Sequence, residues 1–269
     1  MNPSSRWSFP DLRSALYYCR TRNREGVRCI LHVLGEYVQN REMTGHVLEE
    51  YLRCLEGIHA HALNASVSVK LTQLGALLDP QHCEQVLARI CSRADQYGIP
   101  VELDMEGRDL VPFTIDTALA MKAHTALSTL TLTLQAYLER TGVDIHAAVE
   151  SGLGVRLVKG AYVGDWDDFG RIEDEFRKDC TLLAGYEIPF AVGTHDPDLV
   201  DYITKSGIEQ TMIEFGFLYG FAEHTKMVLR EAGWKVAEYI PYGPGDAGYA
   251  HRRERYLQKL GELGREPVP

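Results

Sequence analysis

Val155-Arg156-Leu157-Val158-Lys159 (VRLVK), then Phe169 to Ala184 (FGRIEDEFRKDCTLLA), then Pro189 to Thr194 (PFAVGT) carry the pattern that decides the fold. The outer pieces are short runs rich in β-branched and apolar residues. The middle piece repeats apolar residues at three- and four-residue spacing, the period of a helix with one buried face. Strand, helix, strand is the unit from which parallel sheets are built. Outward from it, further strands are expected at Cys29 to Leu34, Ser66 to Leu71, Pro100 to Asp104, Ser128 to Gln135, Gln210 to Phe215 and Val236 to Pro241. Helical periodicity fills the gaps at His46 to Leu63, Gln81 to Tyr97, Thr114 to His124, Tyr137 to Glu150, Asp198 to Lys205 and Ala222 to Ala232. Gly98, Gly142, Gly185, Gly207 and Gly233 fall near helix ends, where a positive φ closes the last turn without steric cost.

Eight strands alternating with helices, in a chain close to the usual barrel length, favour a closed parallel barrel over an open doubly wound sheet. The fold expected is α/β, a distorted (β/α)8 barrel of the TIM type, forming one domain over residues 1–269. The amphipathic segment Asp11 to Thr21 predicts an extra helix outside the ring, within an N-terminal extension of residues 1–26.

Composition narrows the function. With 45% apolar residues, 269 residues suffice for one large core. A net charge of -10 and a pI near 5.5 provide no positive field for nucleic acid. Apolar runs are broken well short of a membrane span and Met1 to Pro10 lacks a signal-peptide core, so no integral membrane segment and a cytoplasmic placement are expected. The six cysteines have no metal-binding spacing, and reduced thiols are expected. His59, His61 and His195 lack further ligands at useful spacing, so no metal is assigned.

In such barrels the reactive groups gather at the C-terminal ends of the strands. Lys70, Asp104, Gln135, Lys159, Thr194 and His195 fall at those ends, and Tyr239 lies within the eighth strand. Thr194 and Gln135 taken singly read as barrel-layer residues. Lys70 does not, because an unpaired buried ammonium is too costly to persist; Asp104, one strand away, is its expected partner. GPGDAG (Gly243 to Gly248) matches the dinucleotide-binding glycine pattern, but no βαβ unit follows it. No G-x-S-x-G elbow occurs, and Cys180 sits in a helical stretch where a buried inert thiol is the common role.

VRLVKGAY, Val155 to Tyr162, resembles the signature of the proline dehydrogenase family. LGE (Leu34 to Glu36), SVSVKLTQLG (Ser66 to Gly75), DMEG (Asp104 to Gly107), LQAYLERT (Leu134 to Thr141), THDP (Thr194 to Pro197) and the stretch from EYIPYG to YAHRR (Glu238 to Arg253) match its other strand ends in order. The resemblance implies FAD across the barrel mouth, with Arg156 near the flavin N5 and Gln135 near its pyrimidine edge. Val158, Lys159, Gly160 and Ala161 would line the ring system, and Thr194 and His195 the phosphate and ribityl portion. Lys70, Arg252 and Arg253 match a clamp on the substrate carboxylate. Tyr162, Leu218, Tyr239 and Tyr249 match the walls around a pyrrolidine ring. Arg156, Lys70 and Asp104 are then the catalytic candidates. Oxidation of L-proline or a related cyclic amino acid to the imine would follow, with an electron acceptor such as a quinone. Gly216 stands where the family carries glutamine, and Tyr256 where a glutamate follows the arginine pair. Two other readings start from the same residues: a lyase or aldolase using Lys70 as a Schiff-base amine, and a non-catalytic metabolite-binding barrel. A visible flavin spectrum separates the oxidoreductase from both.

Overall fold

The computed structural model describes residues 6–124, 130–244 and 247–265. Among the described residues, eight strands pair in parallel in chain order, and the eighth closes on the first. They are β1 (Arg28–Val33), β2 (Ala65–Val69), β3 (Val101–Leu103), β4 (Leu130–Gln135), β5 (Gly154–Val158), β6 (Phe190–Gly193), β7 (Ile213–Leu218) and β8 (Lys235–Tyr242). The helices are α1 (Leu12–Arg24), α2 (Arg41–Ala60), α3 (Pro80–Tyr97), α4 (Val111–His124), α5 (Thr141–Glu150), α6 (Phe169–Ala184), α7 (Pro197–Lys205), α8 (Glu223–Glu231) and α9 (Ala247–Glu262). The fold is a closed (β/α)8 barrel. Side chains at Asp11, Asn40, Asp79, Asp168 and Asp196 each accept a backbone N–H in the first turn of the helix they precede. These bonds satisfy donors that the helix itself cannot.

Alternation along the strands separates two environments. One set, including Leu31, Val67, Leu103, Leu132, Leu157, Val192 and Phe215, is fully buried and contributes to the continuous apolar core. The other set is polar: Arg28 and His32 of β1, Ser66 and Ser68 of β2, Glu102 of β3, Thr133 and Gln135 of β4, and Arg156 of β5. Several of those residues meet one another across the barrel interior. The six cysteines are buried and unpaired.

The structure shifts several expected boundaries. β7 begins three residues later than predicted because Gln210–Met212 form a 3-10 turn, which brings Leu218 into the strand. The helix predicted from Tyr137 starts at Thr141. Tyr137 instead extends the β4–β5 ladder, its N–H donating to the Lys159 carbonyl at 3.1 Å. Gly98, Gly207 and Gly233 have positive φ as expected. Gly142 lies inside α5, and Gly185 ends α6 with φ -66°. Ser128 and Thr129 at the predicted start of the fourth strand, and Gly245 and Asp246 of GPGDAG, lie outside the described residues. No helix of the described residues is long and apolar enough to cross a membrane.

The N-terminal extension is more than an outer helix. α1 is fixed to β8 through Arg22, whose Nε lies 2.7 Å from Glu238, itself 2.5 Å from the Lys226 ammonium. Ahead of it, the Phe9 N–H donates to the Pro241 carbonyl at 2.9 Å and its own carbonyl accepts from Gly243 at 3.0 Å. That bridge carries Trp7 onto the Phe221 ring, 4.7 Å away and nearly parallel.

Candidate active site

The charged interior runs as a chain from the floor to the mouth of the barrel. Arg156 sits midway, buried on β5. Its guanidinium donates to Glu102 at 2.5 Å, to Thr133 at 2.9 Å and to Asp104. Asp104, just past β3, also accepts from the Tyr239 hydroxyl at 2.5 Å. Burial pushes the Asp104 carboxyl up, but Arg156 and Lys70 outweigh it and hold the group below the usual carboxylate range. Glu102 is held low in the same way: burial raises it, and the charges of Arg156 and Arg28 more than offset that.

Lys70 forms the expected ion pair with Asp104 and a shorter one with Glu36, which was not expected. Its ammonium is 3.1 Å from Glu36 and 3.9 Å from Asp104, so its nearest carboxylate comes from the loop after β1. Glu36 collects three expected substrate-binding side chains: Lys70, Arg252, and the Tyr162 hydroxyl at 2.9 Å. Burial raises the Glu36 carboxyl, and the charges of Lys70 and Arg252 more than reverse that effect. Arg252 also stacks over the Tyr162 ring at 4.6 Å.

Arg253, the next residue along α9, turns inward and is 3% exposed. Its guanidinium donates to neutral oxygens, the Tyr219 carbonyl at 3.1 Å and the Tyr249 hydroxyl. Its Nε is buried without a partner. The guanidinium lies among the rings of Tyr249, Phe221 and Trp7, at 4.2, 5.3 and 5.6 Å. Among the described residues it forms no ion pair with a carboxylate, and burial pushes its pKa down to about 9.

The expected cofactor residues cluster along β4 to β7. Lys159 pairs with Asp196 at 2.9 Å and lies 3.9 Å over the Phe169 ring. Burial lowers its pKa, partly opposed by Asp196. Thr194 Oγ accepts the Asp196 N–H at 3.1 Å. His195 accepts the Leu218 N–H at Nε2, 2.9 Å away, so its proton resides on Nδ1. Burial, then the charge of Arg253, keeps that imidazole neutral. Gln135 donates to the Glu106 carbonyl at 3.1 Å and accepts from Tyr137 at 2.9 Å. Gly160, at φ 121°, lies so close to the Tyr137 ring that an added Cβ would stand 2.6 Å from it. Val158 and Ala161 belong to the same β5 exit.

The barrel thus gathers nearly every residue singled out from the sequence. Glu36, His32, Glu102, Asp196, Tyr137 and Tyr256 join them without having been assigned roles. Glu36, Tyr137 and Asp196 lie inside the quoted LGE, LQAYLERT and THDP motifs, and Tyr256 stands at a noted departure, so each carried a signal that could have found it; His32 and Glu102 are single polar residues in apolar strands with no role marked by their surroundings. Among the described residues no group of three or more His, Cys, Asp or Glu is arranged to hold a metal.

A parallel barrel with an ionic cluster at the C-terminal ends of its strands is a TIM-type architecture, and known proteins narrow the class. The family model described as Proline dehydrogenase matches residues 15–166. Proline dehydrogenase 2 of Bacillus subtilis is 30% identical over 254 residues, covering 90% of this chain and 82% of that protein. Proline dehydrogenase of Deinococcus radiodurans is 27% identical over 256 residues, with 90% and 82% covered. The crystal structure of proline utilization A from Bdellovibrio bacteriovorus, inactivated by N-propargylglycine, matches all of this chain (100%) with a TM-score of 0.85 at 19% identity. This chain spans 35% of that longer one, and the likeness speaks for the barrel alone. On the family model and the Bacillus relative, the chain belongs to the proline dehydrogenase family.

Proposed function

We propose that this chain is a flavin-dependent oxidoreductase that oxidises L-proline, or a closely related cyclic amino acid, at the bond between the ring nitrogen and its neighbouring CH. The observation that carries the substrate class is Arg253: a buried guanidinium whose hydrogen bonds go to neutral oxygens is completed by an anionic ligand. A carboxylate suits its planar donor fork. Lys70 and Arg252 stand on the same side of the mouth, converged on Glu36, and Tyr162, Leu218, Tyr239 and Tyr249 supply the surrounding wall.

The mouth also fits FAD. Gly193 and Gly216 face each other across the β6–β7 pair, next to Val158, leaving a shelf without large side chains where a flat ring system can lie. The buried Tyr256 hydroxyl lies against the Thr194 side chain and the His195 backbone, so three polar groups gather at the edge of that shelf, where the oxygen-rich part of the cofactor would lie. Arg156, Gln135, Val158, Lys159, Gly160, Ala161, Thr194 and His195 would hold the cofactor, which accepts a hydride at N5. Hydride loss from the ring carbon and proton loss from nitrogen leave the cyclic imine. Arg156, fixed by Glu102, Asp104 and Thr133, would supply positive charge to offset the negative charge that reduction brings to the bound cofactor. Asp104 holds Tyr239 and Arg156 in register, and the carboxylate clamp fixes the reacting carbon, as proximity catalysis requires. An acceptor such as a quinone would complete turnover, and the chain would work as one barrel domain in the cytoplasm.

The test is anaerobic. Protein saturated with FAD is mixed with L-proline, hydroxyproline or pyrrolidine, and bleaching of the flavin absorbance is followed by stopped flow. Rapid bleaching by a cyclic amino acid, and slow or no bleaching by pyrrolidine, is the expected result. Protein that neither binds FAD nor bleaches it with any of the three overturns the reading.

A further inference from the structure

His32 of β1 is buried at the base of the mouth, and none of the sequence motifs includes it. Its Nδ1 is 3.1 Å from the Ser68 carbonyl oxygen, which can only accept, so Nδ1 carries the hydrogen. In the neutral ring Nε2 is then a lone-pair acceptor, and it lies 3.3 Å from the Lys70 ammonium. The ring centroid is 5.5 Å from that of Tyr239, so one imidazole touches two residues assigned to the substrate pocket. The tautomer is reinforced from behind. The Tyr51 hydroxyl of α2 donates its one hydrogen to the same Ser68 carbonyl at 2.7 Å, with Gln73 Oε1 3.1 Å away, while Gln73 donates to the Val33 carbonyl at 2.9 Å.

We infer that His32 is a positioning residue: a neutral, tautomer-locked acceptor that aims the Lys70 ammonium at the substrate carboxylate. The inference rests on the proposed amino-acid oxidation and deepens it. An ammonium has three N–H donors in tetrahedral directions. Glu36 takes one, at 3.1 Å, and His32 takes a second, at 3.3 Å. Asp104 is farther off, at 3.9 Å, and is already engaged by Arg156 and Tyr239. Fixing two donors leaves the third with one direction.

Neutrality is what makes the acceptor useful. Burial, followed by the Lys70 charge, pushes the His32 pKa down to about 3, against the opposing pull of Asp104 and Glu36. A neutral acceptor orients Lys70 without cancelling the charge that a carboxylate substrate needs. An imidazolium there would repel Lys70 and have no lone pair to offer.

The experiment uses the FAD-loaded protein and three measurements on wild type, His32→Leu and His32→Gln. Leucine fills similar space without an acceptor; glutamine returns an acceptor oxygen near the Nε2 position. Calorimetric binding of cyclopentanecarboxylate reads the carboxylate clamp directly, without turnover. Loss of a charge-assisted hydrogen bond predicts that His32→Leu weakens it by about tenfold, while His32→Gln stays within about threefold of wild type. KM for the amino-acid substrate should rise in parallel with kcat little changed, and FAD affinity should not move. Nitrogen-15 NMR of labelled histidine should find His32 as the neutral Nδ1–H form throughout about pH 5 to 8.

Unchanged carboxylate binding in His32→Leu overturns the inference, as does equal loss in both variants with FAD affinity intact. Detection of an imidazolium at His32 in that pH range overturns it as well. If wild type binds cyclopentanecarboxylate but oxidises no cyclic amino acid, the proposed reaction fails, and the His32 comparison is still decided by binding.

Discussion

The two ends of the barrel use the same residue types and resolve them in opposite ways. At the floor, Arg28 is 2.6 Å from Glu214 and 3.1 Å from Glu102, and its Nη1 also donates to Ser66 at 2.7 Å. Each of these charges finds its complement within the chain. At the mouth, Arg253 finds a carbonyl and a hydroxyl, and three cationic or hydroxyl side chains share the single carboxylate of Glu36. Arg156 joins the two, giving one nitrogen to Glu102 and the other to Asp104. A closed ionic network serves structure. One left short of anions inside a low-dielectric pocket is a place for an anionic ligand.

The largest test of that contrast is at the floor. Glu102→Gln keeps the side-chain volume but strips the buried Arg156 and the half-buried Arg28 of a shared carboxylate. Breaking a buried pair from one side costs on the order of 3 to 5 kcal/mol, so urea unfolding should move to markedly lower denaturant. A midpoint within experimental error of wild type would mean that the floor network contributes little.

At the mouth the opposite balance is expected. Arg253→Met keeps much of the stem and deletes the donor fork. Binding of a carboxylate substrate should weaken by about 2 kcal/mol or more, at least about tenfold, while unfolding stability does not fall, because a poorly compensated buried charge has been removed. Oxidation of pyrrolidine, which has no carboxylate, should be indifferent to the substitution. Equal loss with both substrates would make Arg253 a structural residue and erase the contrast.

The smallest effect is a pH dependence away from both ends. Asp179 on α6 is buried, and desolvation, aided by the Glu175 charge, raises its pKa to about 7 from the ordinary value of 3.8. Between those values the folded state binds more protons than the unfolded one, so this group's contribution to stability falls as pH rises from 3.8 to about 7 and is level above that. The carboxyls held low at the interior act with the opposite sign, so the comparison must be with Asp179→Asn. The variant should melt higher than wild type at pH 8, with the difference shrinking toward pH 4, as scanning calorimetry would measure. A pH-independent difference would remove Asp179 as the titrating group.

How far the site is legible follows from the distance over which each signal acts. The β5 exit is readable because Val155 to Lys159, Gly160 and Tyr162 are nearly consecutive, and strand periodicity alone places them at the rim. Lys70 is recognisable as paired, since a lysine in VSVKL cannot stay alone, but its nearest partner is not the one expected. Strand order favours Asp104; the turn through Gly35, at φ 145°, returns Glu36 over the mouth instead. His32 gives no signal, because a lone histidine in CILHVL reads as a core residue until Lys70 is seen beside it.

Local periodicity and punctuation were enough, by themselves, to determine the alternation of strands and helices and which strand ends form the rim, because those depend on residues within a few positions of one another, and the count of eight strands favoured closure without showing the β1–β8 pairing. Only the tertiary structure decided the pairing of charges, the inward turn of Arg253, the tautomer of His32 and the reach of Trp7 to the mouth. Each depends on groups from different strands and loops that meet only once the ring is closed, where low dielectric makes the choice of partner decisive.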